Sequence, residues 1–525
     1  MKNENNLSLS ILVLSLLLLW SCESKMGNKE IKDQAEIKTV NYQQKYRPQY
    51  HFSPPEQWMN DPNGMFYFEG EYHLFYQFYP DSNVWGPMHW GHAVSPDLVN
   101  WENLPIALYP DEHGYIFSGS AVVDWNNTTG FGTKNKPPLV AIFTYHNDEQ
   151  AKAGIVEFQT QGIAFSNDNG RTWTKYKENP VLNNPGIKDF RDPKVRWYEP
   201  DQKWIMTLAV KDHIRFYSSV DLKSWTFESE FGKEIGAHGG VWECPDLFPL
   251  NDNEGNKKWV ILLSINPGGP QGGSATQYFV GDFDGNTFSP ADTTIRWIDY
   301  GADNYAGVTW SDIPENDGRR IFLGWMSNWQ YANIVPTYDW RSAMTIPRVL
   351  SLTADHQLLQ KPVKELRNIL QPTRFIDDFV VIDQLNPINN LQISENANFN
   401  FKANMGDASK FEMQIGNIEE NFKLTIDQDK QQIITDRSQS GLIDFHQEFA
   451  KLHSLDLKEE FKLENIEVFI DNASIEIFIN NGKYVFTELV FPENPLTKLS
   501  FKSDKEVQIQ NFNYHSINSI WETIE

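Results

Sequence analysis

NDPNGMFYF (residues 60–68) combines a chain-reversal signal with the start of a buried strand. Its Asn-Asp-Pro-Asn-Gly core is typical of a turn, whereas Trp58 before it and Met65 within it belong in a protein interior. Asp61 therefore occupies a turn with apolar surroundings, where an aspartate either caps its own backbone or is held for chemistry. Taken by itself, the segment favours the self-capping turn. The rest of the chain changes that interpretation.

Segments of the same kind recur four more times along the chain. They are FSGSAVVDW (117–125), FRDPKVRW (190–197), WECPDLF (242–248) and DNYAGVTW (303–310). The five segments follow one another at intervals of roughly 50 to 70 residues, which is the size of a propeller blade with loop insertions. The repeat therefore predicts an all-β fold whose first domain is a five-bladed β-propeller over residues 46–345.

A second repeat and the texture of the sequence agree with that architecture. A Ser-x-Asp…Trp string occurs as SPDLVNW (95–101), SNDNGRTW (166–173) and SVDLKSW (219–225). Short alternating or apolar runs such as PLVAIFTY and KWVILLSI are bounded by Asp, Asn, Gly and Pro, and no long stretch of sequence shows helical periodicity. Both features favour β-strands joined by tight turns.

A propeller gives the recurring segments a chemical consequence. The equivalent strand of each blade lines the central channel, so residues far apart in the chain converge on one axis. Asp61, Asp192 and Glu243 each lie in a recurring segment, and the first two are followed directly by a proline. Three carboxylates facing one another repel, so their shared position in the repeat indicates a task rather than three unrelated turns.

The sequence changes character after the propeller segments. Residues 346–369 are predicted to form a linker with one short helix near 361–369. Beyond them tryptophan becomes rare, while charged and apolar residues alternate in runs such as IEVFIDNASIEIFINNGKYVF (466–486). This alternation predicts an antiparallel β-sandwich over residues 370–525, with a structural or substrate-positioning role.

Composition limits the range of ligands. The formal net charge of −25 argues against nucleic acids and anionic membrane surfaces, because both require a basic face. Only two cysteines occur, Cys22 and Cys244, so the chain has no disulfide framework and no cysteine-based zinc site. The 18 tryptophans suit stacking against sugars but also fill β-rich cores, so they favour a carbohydrate ligand only weakly.

The N-terminal residues predict export. ILVLSLLLLW (11–20) is too short to span a bilayer but suits the core of a signal peptide, which we place at residues 1–21. The following Cys22 completes a sequence that resembles a bacterial lipobox and implies lipidation of its thiol; an ordinary secretory signal is the alternative. Residues 22–45 are polar and carry both charge signs, as expected for a tether. We therefore expect an exported protein, anchored to the cell envelope only through the lipid on Cys22.

Paired carboxyl groups can hydrolyse a glycosidic bond. One attacks the anomeric carbon while the other protonates the departing oxygen, and in a retaining enzyme the second group then deprotonates the water that releases the covalent intermediate. A third carboxylate can hold hydroxyl groups and stabilise the cationic transition state. Clustering also raises the pKa of the group that must act as the acid. Three carboxylates around one channel therefore suit sugar chemistry.

Three ordered motifs closely resemble those of glycoside hydrolase family 32, the β-fructosidases. They are WMNDPNG (58–64), FRDPK (190–194) and WECPDLF (242–248). Supporting motifs are YRPQYHFSP (46–54), YQFYPDSNVWG (76–86), FSGSAV (117–122), DNYA (303–306) and GWMSNW (324–329). The resemblance covers the whole propeller, and the sandwich matches the family's usual C-terminal module. One departure is Asn304, where the family commonly has an aromatic residue.

The resemblance implies a role for each matching residue. Asp61 would be the nucleophile on C2 of a fructosyl unit, Glu243 the general acid/base, and Asp192 a carboxylate that holds hydroxyls and stabilises the transition state. Substrate contacts are implied for the amides of Asn60 and Gln77, the hydroxyl of Ser118, the guanidinium of Arg191, and apolar walls formed by Trp58, Met59, Trp85, Phe117 and Trp325.

Other interpretations of single motifs are weaker. SNDNGRTW also matches the Asp-box of sialidases, but only one full copy occurs, without a clear set of arginines for a sialic acid carboxylate. His89 and His92 could begin a metal site, yet no third ligand is spaced near them, so we expect neither metal nor cofactor. Cys244 is expected to be a small buried residue behind Glu243 rather than a nucleophile.

The sequence thus predicts a retaining β-fructosidase that acts on fructan, levan or inulin, and releases fructose from chain ends. The expected partner is a fructan or fructo-oligosaccharide. An endo-levanase, a sucrose-preferring invertase and a non-catalytic fructan-binding surface lipoprotein are the alternatives, beside an inverting hydrolase of arabinan or xylan. The sequence does not decide the oligomeric state.

Overall fold

A computed structural model describes residues 40–133, 136–382, 392–457 and 461–521. These residues form five sheets of four or five strands followed by two sheets of seven and five strands, so the predicted five-bladed β-propeller and C-terminal β-sandwich are confirmed. The expected signal peptide, the lipidation site Cys22 and most of the tether lie outside the described residues. Within the described part of the chain, no helix has the length and apolar character needed to cross a membrane.

Blades 1 to 3 are antiparallel meanders in which strand order follows the chain. Blade 1 contains Gln57–Phe68, Glu71–Tyr79, His89–Ser95 and Glu102–Leu108. Blade 2 contains Tyr115–Val123, Leu139–His146, Gln159–Ser166 and Thr174–Lys175. Blade 3 contains Phe190–Tyr198, Lys203–Val210, His213–Ser219 and Thr226–Phe231. A short α-helix, Asp148–Lys152, interrupts blade 2, and a 3-10 helix, Glu199–Asp201, interrupts blade 3.

Blades 4 and 5 are built in the same way but carry additional short strands. Blade 4 contains Val241–Asn251, Lys257–Asn266, Ala275–Phe283, Phe288–Pro290 and Arg296–Trp297. Blade 5 contains Tyr305–Thr309, Arg320–Met326, Ala343–Met344, Arg348–Leu352 and Leu358–Pro362. A 3-10 helix, Ala332–Ile334, lies in a loop of blade 5.

The end of blade 5 differs from the linker predicted over residues 346–369. Arg348–Leu352 pairs with Arg320–Phe322 and with Leu358–Pro362, so both later strands complete the blade. Their apolar residues, among them Leu350, are buried against the side chains of blade 4. Burial between blades is a tertiary effect that the short run RVLSL did not reveal. The predicted helix is present as the 3-10 helix Lys364–Ile369.

The first strand of each blade, here called the inner strand, contacts the inner strands of both neighbouring blades, and the ring closes between blades 5 and 1. Two segments that follow the inner strand of blade 5 stabilise the contact between blades 5 and 1. Trp340–Arg341 pairs in parallel with the start of the blade 1 inner strand, and the amide of Ser311 donates to the carbonyl oxygen of Met65 at 2.9 Å. The five segments that recur in the sequence are these inner strands.

The Ser-x-Asp…Trp strings form equivalent turns at the ends of the third strands of blades 1, 2 and 3. In each turn, the aspartate carboxylate accepts the serine hydroxyl and following main-chain amides, as an aspartate commonly does in a tight turn. For Asp97, the amides of Val99 and Asn100 donate at 3.0 and 2.8 Å. The Asp-box-like string therefore forms a turn that Asp168 stabilises at the end of a blade strand.

The C-terminal module consists of two packed sheets. One contains Arg374–Ile376, Phe379–Val381, Ala397–Asn404, Asn465–Asp471, Ser474–Ile479, Tyr484–Leu489 and Val507–Ser516. The other contains Lys410–Gly416, Asn421–Asp427, Gln432–Gln439, Leu452–Asp456 and Lys498–Ser503. Alternate residues of both sheets bury Phe399, Phe411 and Phe501 in one core, as expected for a sandwich.

Candidate active site

Each inner strand contains a β-bulge at an equivalent position. The bulges fall between Met59 and Pro62, Phe117 and Gly119, Arg191 and Lys194, Glu243 and Asp246, and Tyr305 and Val308. A bulge adds a residue to one strand only, which bends the strand and redirects its side chains. The bulges therefore turn Asp61, Asp192 and Glu243 out of the regular in-and-out alternation of a strand and towards one end of the channel.

Local sequence explains why the bulges form there. Pro62, Pro193 and Pro245 lie in or at the end of three bulges, where a residue without an N–H breaks no ladder hydrogen bond. Asp192 and Cys244 adopt left-handed φ angles of 64° and 47°, which is uncommon outside glycine. Such backbone strain persists only where the surrounding structure enforces it, and it is concentrated at functional sites.

Asp61 is held by donors on both of its oxygens. Ser118 Oγ donates to Oδ2 at 2.6 Å and Asn60 Nδ2 donates to Oδ1 at 2.9 Å. Asn60 is itself oriented by the indole N–H of Trp58, which donates to Asn60 Oδ1 at 2.7 Å. Burial and the nearby charge of Glu243 raise the pKa of Asp61, while the two donors oppose that shift. The carboxyl group therefore has a fixed orientation at the cavity.

Asp192 lies deeper and contacts the segment that bears Glu243. Its Oδ2 accepts the main-chain N–H of Cys244 at 3.1 Å, and its own N–H donates to Thr144 Oγ1 at 3.0 Å. Burial raises the pKa of Asp192, Arg191 opposes the shift, and the charges of Glu243 and Asp61 add to it. The excess of negative charge thus favours a proton on the cluster.

Glu243 is clamped from two blades. Arg191 Nη2 donates to Glu243 Oε1 at 2.7 Å and Nε donates to the same oxygen at 3.3 Å. The phenol of Tyr305 donates to the other oxygen, Oε2. Burial and the charge of Glu243 hold the pKa of Tyr305 well above its ordinary value, so the phenol remains a donor. Arg191 is fixed in turn by Asp189 Oδ1 at 2.9 Å.

The three carboxyl groups line one cavity of about 390 Å³. Nine of the twelve residues predicted for the site line this cavity: Asn60, Asp61, Gln77, Trp85, Phe117, Ser118, Arg191, Asp192 and Glu243. Trp85 is 39% exposed and meets Phe117 edge-on, with ring centroids 6.1 Å apart. A larger cleft of about 1040 Å³ lies beside the sandwich, and none of the three carboxylates lines it.

Three predicted wall residues do not reach the cavity. Trp58, Met59 and Trp325 have no exposed surface, so in this arrangement they support the wall from behind. Trp329 stands in front of them and does line the cavity, with its ring 4.9 Å from that of Trp325. Of the two tryptophans of GWMSNW, Trp329 lines the cavity and Trp325 does not, because the turn after Met326 decides which one faces the channel.

Several lining residues carried no recognisable sequence signal. His146 and Gln159 lie on the second and third strands of blade 2, and His146 stacks on Phe117 with centroids 4.1 Å apart. Burial and the charge of Arg191 lower the pKa of His146 to about 4, so it is a neutral ring. Two other lining residues did have a signal, since Asp189 lies next to the FRDPK motif and Trp329 lies within GWMSNW.

The histidines considered as metal ligands are otherwise occupied. His92 Nε2 lies 3.0 Å from His73 Nδ1, and burial lowers the pKa of both rings. Across the ranges that the structure describes, no group of three His, Cys, Asp or Glu side chains is placed to hold a metal ion.

Two family models match the chain. The model "Glycosyl hydrolases family 32 N-terminal domain" matches residues 51–362, and "Glycosyl hydrolases family 32 C terminal" matches residues 365–516. A levanase from Bacillus subtilis is 48% identical over 494 residues, which covers 92% of this chain and 72% of the levanase. An extracellular exo-inulinase from Aspergillus niger is 39% identical over 523 residues, which covers 92% of this chain and 96% of the inulinase.

Solved structures agree in fold over nearly the same span. An exo-inulinase from Aspergillus awamori superposes with a TM-score of 0.82 at 37% identity, covering 92% of this chain and 100% of that one. A fructofuranosidase from Schwanniomyces occidentalis, complexed with fructosylnystose, gives a TM-score of 0.83 at 32% identity, covering 92% and 99% of the two chains.

Proposed function

Because the chain belongs to glycoside hydrolase family 32, we propose that it is a retaining β-fructosidase that frees fructose from the ends of fructan chains. It is a glycoside hydrolase of the β-fructofuranosidic bonds of fructans, as its family and its similarity to levanase and exo-inulinase establish. The stereochemical course, the exo mode and the residue roles are the proposal. The convergence of Asp61, Asp192 and Glu243 on one cavity carries it.

Asp61 acts as the nucleophile. One of its oxygens attacks C2 of the terminal fructosyl unit while the glycosidic oxygen departs, which leaves a fructosyl ester on the protein. The donors Ser118 and Asn60 support this role because they favour the charged form and fix the carboxylate plane. Each oxygen has a second lone pair for bonding to carbon.

Glu243 acts as general acid and then as general base. It gives its proton to the departing glycosidic oxygen in the first step. In the second step it takes a proton from water, whose oxygen attacks C2 and displaces Asp61. The contacts with Arg191 and Tyr305 support this role, because a proton donor must keep one position through both steps.

Asp192 stabilises the positive charge that develops on the furanose ring and accepts hydrogen bonds from its hydroxyl groups. Its burial, 5% exposed, strengthens such interactions because few water molecules compete. Arg191 lies 3.9 Å away and balances part of its charge. Asp192 forms no covalent bond with the sugar in either step, since Asp61 occupies the position of attack.

The dimensions of the cavity support attack at a chain end. A volume of about 390 Å³ is near the low end of the range of 300–1,000 Å³ that small-ligand sites span, and it suits a terminal unit better than a long stretch of polymer. Trp85, Phe117 and Trp329 give apolar walls that can face the carbon side of the sugar. The names of the exo-inulinase relatives point the same way.

We further propose that the protein is exported and anchored by a lipid on Cys22. The apolar run before this cysteine and its lipobox-like context support the proposal, and one relative is named as extracellular. A Cys22→Ala variant expressed in a bacterial host should lose membrane association. Equal membrane retention of variant and unaltered protein would contradict lipid anchoring.

A time course of products tests the mode of action. Levan, inulin and sucrose are each incubated with the protein, and the products are separated by chromatography from the first minutes onward. Fructose as the first and main product from both polymers supports the exo mode. A ladder of fructo-oligosaccharides that precedes fructose would establish endo cleavage instead, and release from sucrose alone would make the protein an invertase. Arabinan serves as the negative control.

A further inference from the structure

We propose that the β-sandwich has a positioning role in catalysis: its edge strand Tyr484–Leu489 and Arg437 hold residues 299–304 so that Tyr305 can donate to Glu243. This inference rests on the proposed role of Glu243 as acid/base. It assigns to the sandwich a task in the chemistry that its distance along the chain does not suggest.

Residues 299–304 run along the edge of the sandwich sheet and then enter the inner strand of blade 5. The amide of Tyr300 donates to the carbonyl oxygen of Val485 at 2.8 Å, and the amide of Asp303 donates to that of Thr487 at 3.1 Å. In the opposite direction, the amide of Thr487 donates to Asp299 Oδ1 at 2.9 Å. The loop thus behaves as an additional strand on the sandwich edge, although it belongs to the propeller.

A buried ionic cluster locks the end of this loop. Asp303 Oδ2 accepts Arg437 Nη1 at 2.5 Å and the amide of Leu489 at 2.8 Å. Its other oxygen accepts the hydroxyl of Tyr331 at 2.6 Å, and Arg437 donates to that same hydroxyl at 2.8 Å. Arg437 also lies 3.3 Å from Glu488. The side chains of Arg437, Asp303 and Glu488 have no exposed surface, so water cannot replace a lost partner.

Gly301 shows how closely the two modules approach. A Cβ atom at this position would lie 2.2 Å from the carbonyl oxygen of Thr487 and 2.5 Å from its amide nitrogen. Both obstructing atoms belong to the backbone of the sandwich edge and cannot rotate away. An alanine at residue 301 must therefore move the loop off the strand, and it does so without altering any charge.

Movement of the loop is transmitted to Tyr305 because only Asn304 separates it from Asp303. Asn304 is itself tied, through Nδ2, to Asp299 Oδ2 at 3.1 Å. On the other side of Tyr305, Ala306 holds a left-handed φ of 53° in the bulge, which leaves the strand little freedom to compensate. The direction of the phenol is thus determined from the sandwich side.

The charge around Glu243 makes this donor matter for the acid/base step. Glu243 faces Asp61 of blade 1, Arg191 and Asp192 of blade 3, the adjoining Cys244, and Tyr305 of blade 5. Arg191 and Tyr305 are the donors to its two oxygens. Removal of the phenol takes away one of the two donors that hold the Glu243 carboxyl group, so the basic limb of the activity profile should move to higher pH.

A double-mutant cycle separates positioning from mere support. Tyr305→Phe, Gly301→Ala and Arg437→Gln are assayed singly, and the first is combined with each of the others. The three single variants should lower kcat by roughly 10- to 100-fold, the range of one positioned donor, and move the basic limb of kcat/KM in the same direction. Each double variant should be no slower than Tyr305→Phe alone, because Gly301→Ala and Arg437→Gln both act through the phenol that Tyr305→Phe has already removed.

Asp471→Asn is the matched control. Asp471 is a buried sandwich carboxylate that accepts the amide of Gln49 at 2.8 Å and a ring nitrogen of His51 at 2.7 Å, so it joins the modules through partners that do not belong to the 299–304 loop. Asp471→Asn should lower Tm as the other variants do and leave the pH profile of activity unchanged. When it is combined with Tyr305→Phe, its small effect on kcat should add to that of Tyr305→Phe.

The outcomes are distinguishable. Additive losses in the doubles, or a Gly301→Ala variant with the unaltered pH profile, would overturn the positioning role. If Arg437→Gln does not fold, Gly301→Ala decides alone, since it keeps every charge. If Tyr305→Phe itself leaves the pH profile unmoved, the proposed role of Glu243 fails first, and the positioning role fails with it.

Discussion

The main-chain N–H of Cys244 donates to Oδ2 of Asp192 at 3.1 Å and so connects two blades directly behind the candidate catalytic groups. The thiol of Cys244 also lies 3.6 Å from Asp61 Oδ2 and 3.8 Å from Asp192 Oδ2. One small residue therefore adjoins Glu243 and contacts the other two carboxyl groups. The spacing of the trio depends on this backbone turn.

Replacement of Cys244 by Ser should leave kcat within roughly fivefold of the unaltered value, because a hydroxyl keeps a donor of similar size between the carboxylates. Burial and the neighbouring carboxylates raise the pKa of the Cys244 thiol far above its ordinary value, so it cannot serve as a thiolate. Steady-state kinetics on a fructan checks this. A loss as large as that of Asp61→Asn would show that the sulfur takes part in the reaction.

Asp192→Asn should make the protein more stable than the unaltered chain at pH 8, and this gain should shrink towards pH 4. The folded state raises the pKa of Asp192, so the unfolded chain loses its proton first as the pH rises, and folding becomes less favourable until the folded pKa is passed. Below the ordinary pKa of aspartate both states are protonated and the penalty vanishes. A tenfold difference between the acid dissociation constants of the two states is equivalent to about 1.4 kcal/mol, so the gain at pH 8 measures how far the two constants lie apart.

Unfolding in urea at several pH values measures this difference. The exposed Asp429 supplies a control, because it keeps its contact with water in the folded state and Asp429→Asn should change stability little. A stability difference for Asp192→Asn that does not grow with pH would mean that its carboxyl group carries no burial penalty.

Sequence motifs located the candidate catalytic carboxylates better than their surroundings. Asp61 and Glu243 could be predicted because each stands in a short proline-containing segment repeated from blade to blade. The position of His146 in the cavity wall could not be predicted, because it depends on pairing between strands that have no motif. Trp325 and Trp329 are equally aromatic in sequence, and only the turn between them decides which is exposed. The two strands after residue 345 were not predicted for a related reason, because their burial depends on tertiary packing against blade 4.

Trp329→Ala and Trp325→Ala should differ in kind. Trp329 lines the cavity, so its loss should raise KM for fructan roughly tenfold, equivalent to about 1.4 kcal/mol of binding, with a small change in Tm. Trp325 has no exposed surface, so its loss should cost roughly 3–5 kcal/mol of folding free energy. Kinetics and thermal melts on both variants provide the comparison. Similar increases of KM in both variants would mean that Trp325 also contacts the substrate.

Arg191→Lys should lower kcat/KM by about 100-fold, the cost of a small misplacement of a reacting group. Lysine is a single-point donor and cannot hold Glu243 and Asp189 at once as the guanidinium does. Arg215→Lys is the matched control, because Arg215 contacts Glu230 through Nε and Nη2 at 2.8 and 2.7 Å outside the cavity. Equal effects of the two substitutions would deny Arg191 a special role.

Mass spectrometry of a trapped intermediate tests the central claim most directly. Glu243→Ala is incubated with a fructoside whose leaving group needs no acid, so the first step proceeds while the second lacks its base and slows. After acid quench and proteolysis, the account predicts one added anhydrofructose on the peptide that contains Asp61. The same mass on another residue, or steady turnover with the protein unmodified throughout, would contradict it.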